Sequence, residues 1–453
     1  MFGTSPLFYA DNQSNGKINQ LLQIDNSVTF FKDYQNSRTS LNADYSAGSP
    51  TATFASARSA SNPATYIDSH GVINLVTSAD TPRNQSGYYD ATGFHSLSGL
   101  MLEVAGTNLL TRTDGTAYST GLWTNWFGAN GTYTGVRTNS NVDIPELTSI
   151  TNSKSQRCQY TANIDDTGAT LYLSSPLTAV GSVVQNDTVT ISCWARSQTG
   201  NTGITLTLSL NSKDSSNVVL TEYNSSALTL TSVWNKFIFT TTITDATSSL
   251  VQGDFGDGVG TLTPTSAVDF EIWGMQIEVN AYATSFIPTT TTALDRADEF
   301  LSYKTLGNRT VTSESLFIKT APFDIKFGGL INSDTKERFA RWSSSTSKAL
   351  FYPNFTDNVA VVASAPNAAV LNTSTVVAAV MKHSSPYVVA FSDGVAGVPY
   401  TAGDWTDPSW GDNWQPFDSN AEHTVPAGVL QSITIYSTAR SDADVLAITN
   451  IFN

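Results

Sequence analysis

The sequence predicts an all-β chain built as tandem antiparallel β-sandwiches with an extended N-terminal arm, and three observations carry that expectation. Only 13% of residues are charged, while 22 Phe, 17 Tyr and 9 Trp supply the bulky groups that half-buried pleated surfaces favour. Strict period-2 alternation, one apolar face and one hydroxyl face, runs through Thr188 to Ala195 (TVTISCWA), Ile204 to Leu210 (ITLTLSL) and Lys236 to Thr242 (KFIFTTT). Turn-forming clusters separate these runs at sandwich spacing: Gln198 to Gly203, Asn211 to Ser216 and Gly253 to Gly258. A chain of 453 residues has room for about two to four domains, each with its own core.

Taken in order, residues 1–27 show neither alternation nor a helical stripe, yet carry Phe2, Leu7, Phe8 and Tyr9. Two readings stand: a frayed terminus, or an arm that anchors against a neighbouring subunit. Short strands begin at Ser27 to Phe31 (SVTFF) and Ala64 to Asp68 (ATYID). The Thr/Pro-rich stretch Ile287 to Thr292 reads as an edge or linker and places a boundary near residue 300, because Pro288 cannot donate to a central ladder. A second all-β block follows through Glu314 to Lys319, Val376 to Met381, Tyr387 to Phe391 and Ser432 to Tyr436. After it, Val445, Leu446 and Ile448 at helical spacing behind Ser441 predict one short terminal helix capped by that serine. The expected division is an arm (1–27), a leader β segment (28–112), a first sandwich (113–302) and a second (303–453).

Charge narrows the function classes. Lys and Arg total 23 against 38 Asp and Glu, a formal net charge of −15, which repels phosphate backbones and argues against nucleic acid as a partner. No basic n-region precedes an apolar stretch, and no apolar run reaches about 18 residues, so neither a signal peptide nor membrane insertion is expected. Cys158 and Cys193 lack CxxC spacing and a neighbouring His; they read as buried thiols, with a disulfide between adjacent strands as the alternative. His70, His95, His383 and His423 show no HxH or HxxxH spacing, and no GxSxG elbow occurs. No cofactor is expected.

Three ordered phrases give a resemblance. Arg58 to Ile73 (RSASNPATYIDSHGVI), Thr81 to Arg83 (TPR) and Gly99 to Leu110 (GLMLEVAGTNLL) resemble the leader of a large group of phage and prophage virion proteins. The next block is similar to the carbohydrate-binding-module-like jelly roll of those proteins. Trp234 to Phe237 (WNKF), Ile272 to Glu278 (IWGMQIE), Ala283 to Thr289 (ATSFIPT) and Asp295 to Asp298 (DRAD) carry that likeness. The last block looks like a concanavalin A/laminin-G-like sandwich through Ile433 to Tyr436 (ITIY) and Ala439 to Asp442 (ARSD). The resemblance implies a virion protein at the particle surface, assembled in the host cytoplasm beside other virion proteins. Sandwich modules with sticky edges and an apolar N-terminal arm make a homo-oligomer the expectation, and analogy with fibres makes it a trimer. Val389 to Gly394 fits the family pattern only loosely and is followed by an unusual insert, Asp404 to Trp414.

That insert is the sharpest candidate glycan site: Trp405, Trp410 and Trp414 could stack on sugar rings while Asp407 and Asp412 bond hydroxyls. The competing reading is a loop folded on its own aromatics or plugged into a neighbouring subunit. Asp254 and Asp257 in a glycine-rich turn offer two oxygen ligands to Ca²⁺, against the plainer reading of a solvated hairpin tip. Trp194, Trp234 and Trp273 sit in alternating strands and are assigned to the core; Trp123 and Trp126 are assigned to core or interface. Three functions compete: a fibre-like virion protein that binds host-surface glycans, a purely architectural decoration or baseplate protein, and a glycan depolymerase. The first two are not enzymes.

Overall fold

The structure is a computed structural model. It describes residues 27–35, 45–46, 52–59, 61–113, 124–128, 136–144, 146–161, 170–198, 204–256, 267–304, 307, 313–323, 329–333, 338–343, 345–351, 363–382, 387–401, 413–416 and 428–452. The described chain is all-β apart from one helix, Asp442–Phe452.

The alternating runs form strands where the sequence places them. Thr188–Ser197 and Asn235–Thr242 pair antiparallel through Ile191↔Phe239 and Cys193↔Phe237. Together with Val136–Asp143, Lys154–Thr161 and Ala267–Glu278 they make a five-stranded sheet. A six-stranded sheet lies across the core from it. Its path is Val219–Asn224, Thr205–Lys213, Leu250–Gly256, Thr170–Ser174 and Thr124–Gly128, with Leu228–Thr229 beside Thr205–Lys213. The chain crosses repeatedly between the sheets, and one core of Leu206, Leu208, Phe255, Phe270, Trp273 and their neighbours fills the space. Trp194, Trp234 and Trp273 are 2%, 6% and 0% exposed; Trp194 shares the strand phase of Thr190 and Ser192, not that of Ile191 and Cys193, and packs against Trp273 and Phe286.

Cys158 and Cys193 are buried thiols, not joined in a disulfide. The strand Ala267–Glu278 pairs with both cysteine-bearing strands and stands between them, about two strand spacings, near 10 Å, too far for a disulfide. Burial pushes the Cys193 thiol well above its ordinary range.

The second sandwich departs from the expected division. Val28–Asp33, at the start of the leader, pairs with Gly428–Tyr436 near the C-terminus (Phe31↔Thr434). Likewise Ala52–Ala55 pairs with Phe300–Lys304 (Phe54↔Leu301). These leader strands are therefore members of the C-terminal sandwich, with the jelly-roll-like block inserted between them, while Ala64–Ile67 pairs with Ile73–Val76 and Gly106–Asn108 with Leu294–Arg296 in small separate sheets. Sequence order hides this, because the apolar faces are completed only by residues hundreds of positions away. A nine-stranded and a seven-stranded sheet enclose the shared core of Phe30, Ile318, Ile433, Tyr303, Trp342 and Trp414.

The terminal helix forms as expected. Ser441 Oγ accepts from Asp444 N at 3.2 Å and donates to Asp444 Oδ2 at 2.8 Å, a reciprocal cap. Val445, Ile448 and Phe452 then bury against Phe31, Phe317 and Phe391 on the outer face of the nine-stranded sheet. Lys319 Nζ donates to the Phe452 carbonyl at 2.5 Å, closing the helix C-terminus.

Ile287 to Thr292 is no free linker. Ile287 and Thr289 are fully buried, and Thr113 N donates to the Thr289 carbonyl at 2.9 Å.

Candidate functional site

The leader phrases converge on a buried ion network rather than a reactive site. Arg83 of the TPR phrase donates from Nε to Glu299 Oε1 at 2.8 Å and from its second terminal nitrogen to Glu103 Oε2 at 2.8 Å. Arg296 also reaches Glu103 Oε2 at 2.8 Å, and Arg58 pairs with Glu299. Ser285 donates its backbone N–H to Glu103 Oε1 at 2.8 Å and takes bonds from Arg83 and Arg296, both 2.7 Å. Burial alone would raise Glu103; the guanidinium groups of Arg296 and Arg83 outweigh it and hold the carboxyl down at about 2. Every acceptor is filled, so the network joins leader, jelly roll and C-terminal sandwich and offers nothing to a substrate.

Next to it, Gln276 Oε1 accepts from Ile287 N at 2.8 Å and Glu278 Oε1 from Thr284 Oγ1 at 2.7 Å. Asn108 Nδ2 donates to the Ile287 carbonyl at 2.9 Å. The residues that carry the family resemblance are thus largely a joint between modules.

Of the glycan candidates, Trp405, Asp407, Trp410 and Asp412 lie outside the described residues. Trp414 is corrected. It sits in the strand Asn413–Pro416, is 0% exposed, and packs 5.1 Å from both Phe30 and Tyr303 in the C-terminal core. Its pairing to Tyr303 turns it inward, so it stacks on protein rings and not on a sugar.

Asp257 and Trp123 lie outside the described residues, and Trp126 is described only by its pairing with Tyr172. Asp254 is corrected as well: it belongs to the strand Leu250–Gly256, not to a hairpin tip. Gly253 reads as turn chemistry, but a Cβ there would come within 2.5 Å of Ile191 Cδ1; the glycine serves close sheet packing. Among the described residues, no three His, Cys, Asp or Glu side chains gather in a way that could hold a metal ion.

The placement of Asp254 nevertheless builds a site that the sequence did not reveal. Leu206, Leu208, Leu210, Val251, Phe255 and Leu173 point into the jelly-roll core. Strand alternation therefore turns Thr207, Ser209, Asn211, Lys213, Gln252, Asp254, Tyr172 and Ser174 to the opposite face of the six-stranded sheet, where all but Gln252 are buried, at 0–9% exposure. Register aligns Asn224, Ser209, Asp254 and Ser174 in one row across four strands, about 14 Å long at ordinary strand spacing. A second row runs Glu222, Asn211, Gln252. In a third, Gly256 lies flat between Thr207 and Tyr172.

These polar groups organise one another. Lys213 Nζ donates to Gln252 Oε1 at 2.7 Å and to Asn217 Oδ1 at 3.0 Å. Gln252 Nε2 donates to the Ser175 carbonyl at 2.8 Å, and Asn211 Nδ2 to Asp254 Oδ2 at 2.5 Å. Asp254 Oδ1 is buried with no hydrogen-bond partner, an acceptor left open. Burial raises the Asp254 carboxyl to about 6; the Ser174 hydroxyl and the Lys213 ammonium ease that rise and the Glu222 carboxylate adds to it. Chemically, the face is a floor of fixed donors and acceptors with one unfilled carboxylate oxygen. The signal that could have located it is the hydroxyl face of Ile204 to Leu210 continued into Asn211 and Lys213.

No protein-family model matches the chain, and no curated protein matches it. Similar solved structures include the enzymatically active domain of bacteriophage CBA120 tailspike protein 4, at 14% identity and a TM-score of 0.26. That match covers 38% of this chain and 21% of the tailspike's chain, so this chain spans about a fifth of that protein's length. The CBM22-1 xylan-binding domain of Paenibacillus barcinonensis Xyn10C matches at 19% identity and TM-score 0.26, over 39% of this chain and 98% of the domain. A structure of carbohydrate-binding modules from the β-sandwich superfamily matches at 13% identity and TM-score 0.27, over 50% and 96%. Overlaps of this size leave the fold with the strand pairing and the ligand with the site's own chemistry.

Proposed function

We propose that this chain is a non-enzymatic, fibre-like structural protein of a bacteriophage particle whose jelly-roll module binds a host-surface glycan on the outward face of its six-stranded sheet. The observation that carries the binding role is the polar floor around Asp254. Hydroxyl, amide and carboxylate groups are held rigid on the face turned away from the core, and one buried acceptor is left for a ligand hydroxyl. Neutral sugars fit it best, since the floor mixes donors and acceptors rather than one sign of charge. Residence on the particle rests on the resemblance of the three ordered leader phrases. The architectural reading keeps the same particle and fold but gives the floor to a neighbouring subunit.

A glycan array probed with the full chain and with Asp254→Asn and Asn211→Ala tests the reading. Binding to a subset of neutral oligosaccharides, reduced at least tenfold by either change, is the expected result. Equal signals for all three proteins would overturn the assignment of this face, and new reducing ends in the bound glycan would establish cleavage instead. Immunogold labelling of intact particles with an antibody against residues 303–453 tests residence: label at fibre tips is expected, and absence from the particle would overturn it.

A further inference from the structure

A second site lies away from that face, where the leader, the jelly roll and the C-terminal sandwich meet. They enclose a cavity of about 290 Å³, walled by Tyr66, Tyr88 and Phe286 with Ile238 at the jelly-roll side and Phe323 and Leu371 on the C-terminal side. That volume is near the low end for small-ligand sites, room for a single ring.

Two hydrogen-bond donors on its wall lack adequate acceptors. Lys236 is half-buried, with its ammonium 4.8 Å from the centre of the Trp194 ring, and its hydrogen bond is to the Thr284 carbonyl at 3.3 Å. Trp194 lines the same cavity, and its buried indole N–H has no hydrogen-bond partner, whereas Trp273 satisfies its own on Ser153 Oγ at 2.8 Å. An orphaned buried donor is costly and calls for an explanation.

Arg58, Arg83, Arg296 and Lys236 are four cations in and around the cavity wall, and the four carboxylates there, Glu103, Glu278, Glu299 and Asp90, are each engaged elsewhere. Glu103 and Glu299 are committed to the arginines, and Glu278 is filled by Thr284 and Gln276. Asp90, also on the cavity wall, is taken by Thr92 and His95. Lys236 has no carboxylate of its own, and burial lowers its pKa as expected for an ammonium short of counter-charge.

We propose that this cavity binds a carboxylate-bearing sugar unit, its carboxylate on Lys236 and the Trp194 indole N–H and its ring against the aromatic walls. A net charge of −15 disfavours multiply charged anions and leaves a singly charged acid as the matching ligand.

Isothermal titration calorimetry of the full chain with glucuronate, glucose and acetate is the test. Saturable binding of glucuronate is expected, with glucose and acetate at least tenfold weaker. Lys236→Met keeps the stem over Trp194 and removes the charge; Ile238→Asp, at a position 48% exposed, sets a negative charge two residues along the same strand face without touching the core. Each should weaken glucuronate at least tenfold, while Asp254→Asn leaves it unchanged. No heat with glucuronate, equal binding by glucose or acetate, or equal binding by Ile238→Asp would overturn the proposal. Failure here leaves the sheet face untouched, because the two sites share no residue.

Discussion

Glu103 and Asp254 are both buried carboxylates, 1% and 6% exposed, and the protein treats them in opposite ways. Burial pushes each upward. At Glu103 two arginines outweigh it and hold the group at about 2; at Asp254 the nearest cation, Lys213, spends its donors on Gln252 and Asn217, and the carboxyl rises to about 6. One carboxylate is fully partnered and joins three parts of the chain. The other is under-partnered and keeps an oxygen open. The difference separates a group that serves stability from one poised for a ligand.

The largest expected effect comes from breaking the partnered case. Glu103→Ala leaves the Arg83 and Arg296 guanidinium groups buried and short of an anion, and should cost about 3–5 kcal/mol in urea unfolding. The pH dependence has a definite sign. Since the folded value lies below the ordinary 4.5, the Glu103 contribution is complete above that range and is lost as pH falls towards about 2. The wild-type protein should therefore lose stability across that window, and Glu103→Ala should lose distinctly less. Parallel curves for the two proteins would show that the arginines do not depend on this carboxylate.

Asp254 should behave in reverse, with a smaller effect. Its folded value lies above the ordinary 3.8, so its contribution is most favourable below that value and is lost as pH rises through about 6. Asp254→Asn removes the buried charge at nearly constant shape and should stabilise the jelly roll by roughly 1–3 kcal/mol at pH 7, with no gain at pH 3.5. Thermal unfolding at the two pH values measures this directly. A gain in stability together with a loss of glycan binding would mark Asp254 as a group kept for function at a cost to the fold. A loss of stability at pH 7 would mean that the carboxylate is structural after all.

How much of this contrast could be read from the sequence follows from where the information lies. Period-2 alternation located Thr188–Ser197, Thr205–Lys213 and Asn235–Thr242, a local property, whereas Thr375–Lys382 and Tyr387–Ser392 read as short continuous apolar runs because both of their faces are covered. The pairing of Val28–Asp33 with Gly428–Tyr436 was not legible: each reads as a short strand, and nothing local names a partner at the other end of the chain. Asp254 was read as a turn because Gly253 and Gly256 flank it, although those glycines answer to Ile191 packing and to a flat place in the floor. Trp414 was assigned to a ligand because the polar residues around it resemble a loop, while its burial comes from Phe30 and Tyr303, which lie far away in sequence. The leader phrases were legible as a resemblance, but their physical purpose appears only when Arg58, Arg83, Glu103 and Arg296 are seen to meet.

Glu278 offers the finest test of the comparison, since it stands between the two cases. Burial raises it, as at Asp254, yet both of its oxygens are occupied: Oε1 by the Thr284 hydroxyl at 2.7 Å, and Oε2 by Gln276 Nε2 at 2.7 Å and Thr284 N at 3.0 Å. Its partners are neutral groups, with Arg296 acting only at longer range. If a partner's charge is what separates Glu103 from Asp254, then Glu278→Gln should change stability by no more than about 1 kcal/mol at pH 7. The carbonyl of glutamine keeps the Gln276 and Thr284 N–H bonds, and the Thr284 hydroxyl can turn to accept from the new amide. If filled hydrogen bonds decide instead, Glu278→Ala, which empties all three bonds, should approach the cost of Glu103→Ala. Urea unfolding of these variants side by side separates these explanations.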